Sequence, residues 1–173
     1  MSLVPKEFYY PLCAVLLFGL ALALVPKDKF KPLFWYGLVW GFFAGYFFVW
    51  IFGTWLKLFE YQFAEPFKVF GVCLWLAFAW IPAIMVYLHF LPLSKLWYAF
   101  PLYLLIFALA SASLDEVFHQ AGLLKYDFWN PFVRFMVAVF WFWGAKIHYL
   151  ATNKALGNDE SGKSAAKNTC HDK

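Results

Sequence analysis

Residues 33–55 read LFWYGLVWGFFAGYFFVWIFGTW, without a single Lys, Arg, His, Asp or Glu. Such a stretch has no charged face to turn to water. At 1.5 Å of rise per residue, roughly 20 residues in a helix cross a hydrocarbon core about 30 Å thick. Backbone N–H and C=O groups cannot stay unpaired in hydrocarbon, so a run of this kind must be a helix or part of a closed barrel. Barrel strands alternate apolar and polar residues, and this run does not.

Working outward, four further segments qualify: residues 8–25, closed by Pro26-Lys27-Asp28-Lys29, then about 67–91, 96–119 and 132–151. Of the 173 residues, 64% are apolar, 25% aromatic and 14% charged. One soluble domain could not bury that much apolar surface. The expected fold is an all-α integral membrane helical bundle of about five transmembrane helices. Its transmembrane domain covers residues 1–152, and residues 153–173, polar and without apolar periodicity, form a disordered cytoplasmic tail. The first segment has a rival reading as a signal peptide, because Ala21-Leu22-Ala23 imitates a cleavage site. The lone Lys6, offset by Glu7, and a site lying inside the apolar run favour a retained helix.

Lys and Arg in short loops stay on the cytoplasmic side. With five spans, Lys27, Lys29, Lys31, Lys95, Lys154, Lys163, Lys167 and Lys173 share one side, while Lys6, Lys57, Lys68, Lys125 and Arg134 share the other. This excess puts the N-terminus outside and the C-terminus inside. Attraction to anionic headgroups accounts for the net charge of +4, and no nucleic-acid partner is implied. Cys13 and Cys73 lie within spans and Cys170 in the tail, a pattern that suggests neither a disulfide framework nor a zinc knuckle.

Gly37, Gly41 and Gly45 recur every fourth residue and form one face on which a neighbouring backbone can approach closely. Ala108, Ser111, Ala112 and Ser113 of the fourth span are the expected partner surface. Packing within one chain is the plainer use of the ridge, and a homo-oligomer or a membrane protein partner is the sharper one. Tyr9, Tyr10, Trp35, Tyr36, Trp55, Trp97, Tyr98, Trp129 and Tyr149 lie near span ends, as interfacial belts require. Trp55, Leu58, Phe59, Phe63 and Phe67 recur at helical spacing, so a short outer amphipathic segment is expected there, ended by Pro66.

Ionisable side chains at membrane depth are costly and commonly functional. Asp115, Glu116 and His119 cluster late in the fourth span. Asp115 lies about 27 Å along the axis from Trp97, near the outer interface. Arg134 begins the fifth span at a similar height and is the expected ion-pair partner of Asp115 or Glu116. Glu116-x-x-His119 puts a carboxylate and an imidazole on one helix face, as half of a carboxylate-bridged metal site does. Glu60 or Glu65 from the outer loop could complete a single divalent site, in which Glu116 and His119 would be catalytic. Without a second such motif, no cofactor is expected. His89, Lys146 and His148 read as interface anchors. No phosphate loop, His-Glu-x-x-His or Gly-x-Ser-x-Gly pattern occurs.

The acidic aromatic run Phe59-Glu60-Tyr61-Gln62-Phe63, the Pro-containing third span, the late acidic pair and the connector from Gly122 through Lys125, Tyr126 and Trp129 to Asn130 resemble a family of small uncharacterised multi-pass membrane proteins of Bacilli and Clostridia. The resemblance covers about half the chain and implies an inner-membrane helical protein. It implies no activity, and the family's Glu followed by an aromatic differs from Asp115-Glu116. The functional expectation is a non-enzymatic protein that binds a ligand, a lipid of the bilayer or a partner. A metal-dependent enzyme on lipid-like substrates and a small ion or solute conduit are the alternatives.

Overall fold

The structure is a computed structural model that describes residues 5–65, 67–92 and 96–169, with side chains through residue 154. Pro66, Lys95, Cys170, Lys173 and the side chains of Lys163 and Lys167 lie outside the described set. The chain is mostly helical. Helix α1 (Lys6–Leu24) opens with a 3-10 turn, α2 spans Lys27–Trp55, α3 Leu74–His89, α4 Ala99–Gln120 and α5 Pro131–Thr169. By length and composition, α1, α2 and α4 are long and apolar enough to cross a membrane; α3 is apolar but shorter. Helix α5 continues to Thr169, through a polar stretch that contains no Pro.

The connections make successive helices run in opposite directions, so the loops gather at two ends. One end carries the start of α1 and two small antiparallel sheets; the other carries the α1–α2 and α3–α4 connections. At the first end, β1 (Phe59–Tyr61) pairs with β4 (Leu124–Tyr126), while β2 (Lys68–Val69) pairs with β3 (Val72–Cys73). These strands replace the expected amphipathic helix. Lys57 and Phe63 adopt positive φ, which a helix cannot absorb, and between them burial alternates, with Phe59 and Tyr61 inside and Glu60 outside. Phe70 and Gly71, both at positive φ, form the tight turn of the β2–β3 hairpin.

Helix α3 is the centre of the bundle, with its apolar residues from Leu76 to Leu88 largely buried. Helices α1 and α2 pack along it, and α4 packs along α5. The glycine ridge serves this arrangement within one chain, but its partner is α3 and not the fourth span. A Cβ on Gly37 would stand 2.7 Å from the Ile81 carbonyl oxygen, and one on Gly41 2.6 Å from the Trp80 backbone. The backbone of α2 takes a π-helical course over Gly37–Phe43, where Gly37 and Gly41 meet Trp80, Ile81 and Met85 of α3. A Cβ on Gly45 would meet only the Trp40 carbonyl oxygen, at 4.0 Å.

The end with the strands is tied by aromatic side chains. The Tyr10 hydroxyl sits between the carbonyl oxygens of Gln62 and Leu123, to one of which it donates. Tyr10 and Trp129, expected in interfacial belts, are buried instead in the cluster formed by Phe59, Tyr61, Phe118 and Leu123.

Candidate functional site

Helix α4 buries one stripe, Leu104, Ala108, Ser111, Asp115 and Phe118, spaced three and four apart. Its end is fixed by Gly122 at positive φ. The Gly122 N–H bonds the His119 carbonyl oxygen and the Leu123 N–H that of Phe118, a Schellman cap that turns the chain into β4. Helix α5 starts just as locally. Asn130 caps it, its side-chain oxygen accepting from the Val133 N–H at 2.9 Å, with Pro131 in the first helical position, where a missing N–H costs nothing. These two signals bring Arg134 level with Asp115.

Arg134 Nε donates to Asp115 Oδ2 at 2.6 Å, with the side chains 10% and 7% exposed. The guanidinium also lies 5.1 Å from the ring centre of Trp80, so three helices meet there. Beside the pair is a cavity of about 30 Å³ lined by Tyr61, Ser111 and an aromatic wall that includes Phe48, Trp129 and Trp141. That volume suits one small polar group. The Ser111 hydroxyl is buried without a hydrogen-bond partner among the described residues. Burial raises the Tyr61 phenol well above its ordinary range, with Asp115 adding to the effect. At the site it is therefore a neutral donor.

Glu116 and His119, the expected catalytic pair, each have another hydrogen-bond partner in the structure. Glu116 is turned by about 100° from Asp115 around α4. It accepts from Gln120 Nε2 at 3.1 Å. His119 Nδ1 is 2.8 Å from the Leu124 carbonyl oxygen, and its ring stacks on Tyr126 with centroids 4.1 Å apart. Glu60 is paired with Lys68, and Glu65 is exposed. Among the described residues, no three His, Cys, Asp or Glu side chains gather as a metal site would need. His148 accepts at Nδ1 from Trp40 Nε1 at 2.9 Å, and the Lys146 ammonium sits over the Phe100 ring.

Of the polar cluster expected from sequence, Asp115 and Arg134 form the site; Gly45, Phe59 and Trp129, expected in other roles, line its cavity. Tyr61, Trp80 and Ser111 are contributors whose role there was not read from sequence. Tyr61 sits in a run of alternating burial too short to declare itself, while Trp80 is one of ten Trp residues. No family model, no curated protein and no solved structure matches the chain.

Proposed function

We propose that the chain is a five-span protein of the bacterial cytoplasmic membrane that holds a lipid-like or other small ligand at Asp115 and Arg134, without catalysing a reaction. The antiparallel course of five helices supports the span count. The division of cations between the two ends supports an N-terminus outside and a C-terminus inside, which puts the pair toward the outer leaflet. The likeness of the Gly122 to Asn130 connector to small multi-pass proteins of Bacilli and Clostridia agrees with that location.

One observation carries the binding reading. The pair is almost wholly buried, yet it faces a cavity and engages only one N–H of the guanidinium among the described residues. Burying two charges is expensive, and apolar residues of similar size would hold α4 on α5 at least as well. Charges with unused hydrogen-bonding capacity beside a cavity are what a ligand site requires. Glu116 and His119, which the enzymatic alternative needs, already engage Gln120 and the Leu124 carbonyl oxygen.

The test is native mass spectrometry of the full chain released from detergent, with Asp115→Leu/Arg134→Leu beside wild type. Removing both charges keeps the fold and empties the site, so a bound small molecule on wild type should fall by about tenfold or more. Equal occupancy in the two proteins would refute the reading.

A further inference from the structure

The small cavity at Asp115 shares four lining residues with a second space. An apolar crevice of about 320 Å³ opens between α1 and α4, walled by Leu17, Leu20, Phe107 and Ala110, with Pro82 and Val86 of α3 behind them. It exists because α1 packs along α3 while α4 packs along α5, which leaves the first and fourth helices apart. Its size falls in the range of ligand pockets, roughly 300–1,000 Å³. Trp80, Ser111, Asp115 and Phe142 line both spaces. The crevice is therefore walled mainly by apolar side chains, with Ser111 and Asp115 as its polar groups.

Resting on the binding reading above, we propose that this crevice takes the hydrocarbon chain of a neutral lipid, whose hydroxyl or carbonyl head sits against Ser111 and the Asp115–Arg134 pair. Three features select that class. The ion pair has no net charge, so an anionic or cationic head would have to break it, whereas a neutral donor-acceptor head need not. Ser111 offers a buried hydroxyl with no partner among the described residues, and it lines the crevice. Asp115 lies five residues before the end of α4, about 8 Å inside the helix terminus. That is below the depth of a phosphate headgroup and suits an alcohol or carbonyl oxygen. A prenol, a fatty alcohol and an acylglycerol all present this chemistry.

The experiment uses the full chain in detergent and follows the quenching of its Trp fluorescence by bromine-labelled stearyl alcohol, with bromine-labelled phosphatidylglycerol as the charged comparison. Saturable quenching by the alcohol is expected, with its apparent affinity lowered about tenfold in Ala110→Phe and again in Leu17→Trp, which fill the crevice from opposite walls. Ser111→Ala should weaken it about fivefold. Quenching that both crevice-filling variants leave unchanged would overturn the crevice while leaving a ligand at Asp115 and Arg134 by another route. Phosphatidylglycerol binding as tightly as the alcohol would overturn the neutral class. A dimer in detergent without saturable quenching would mean that a second copy fills the crevice, and would also overturn the proposal. Absence of quenching, together with equal small-molecule occupancy in the charge-free double variant, would remove the binding reading itself.

Discussion

Asp115 and Arg134, 19 residues apart in the chain, meet through a hydrogen bond of 2.6 Å across the α4–α5 hairpin. The meeting is built from local signals at either side of a ten-residue-scale connection. The Schellman cap at Gly122 stops α4, the β1–β4 pairing takes up the chain, and Asn130-Pro131 restarts it. The first consequence concerns stability. Asp115→Ala leaves a buried guanidinium unpaired and should cost about 3–5 kcal/mol, whereas Asp115→Leu/Arg134→Leu should cost much less. Thermal melting in detergent of both variants and wild type checks this. Equal losses in the two would mean that the pair contributes no coupling.

The glycine ridge predicts opposite outcomes at positions four residues apart. Gly41→Ala drives a methyl into the Trp80 backbone and should destabilise by about 1–3 kcal/mol. Gly45→Ala meets only the Trp40 carbonyl oxygen at 4.0 Å. It should be neutral or stabilising by up to about 1 kcal/mol, the helix-propensity difference between the two residues. The same melting experiment separates them, and similar losses at both positions would contradict the packing described.

The sequence makes the helical segments plain because unbroken apolar runs leave few alternatives, and it makes Asp115 and Arg134 conspicuous because charges are scarce in such runs. It does not disclose what the glycine ridge packs against. Close spacing of Gly37, Gly41 and Gly45 says that a backbone approaches, and Ala108 and Ser111 look as suitable a partner as the Trp80–Ile81 region of α3. The strand pairing was hidden for another reason. Phe59 and Phe63 fit a helical period as well as Phe59 and Tyr61 fit a strand, and three residues cannot decide between them. The stacking of His119 on Tyr126 depends on that pairing, so it too is hidden in the sequence.

His119 should behave as a fastening residue. His119→Ala removes the contact with the Leu124 carbonyl oxygen and the Tyr126 stack, costing about 1 kcal/mol. Elemental analysis should find no stoichiometric metal that the substitution removes. A divalent metal present in wild type and lost in His119→Ala would restore the metal-dependent alternative.

Alkaline pH should loosen the strand end. Burial, with Asp115 and Glu116 adding to it, pushes the Tyr126 phenol up to about 12 from 10.0, and Tyr61 is raised by the same cause. A phenol that stays protonated longer in the folded state gives stability that is fully present below pH 10 and lost as pH rises through its folded value. Melting temperature should therefore decline between about pH 10 and 12. Tyr126→Phe, which also removes a buried hydroxyl without a partner among the described residues, should shrink that decline without loss of stability at neutral pH. A decline of equal size in the variant would assign it elsewhere.

The central claim is that Asp115 and Arg134 form a ligand site as well as an attachment between helices. The charge-swapped protein Asp115→Arg/Arg134→Asp tests it most directly, by measuring melting temperature and bound-lipid occupancy on the same preparation. A mere attachment is symmetric to the exchange, whereas a site formed with Ser111, Tyr61 and Trp80 is not. The account predicts that the swap recovers much of the stability lost in Asp115→Ala while lipid occupancy remains about tenfold below wild type. Occupancy restored in step with stability would contradict it.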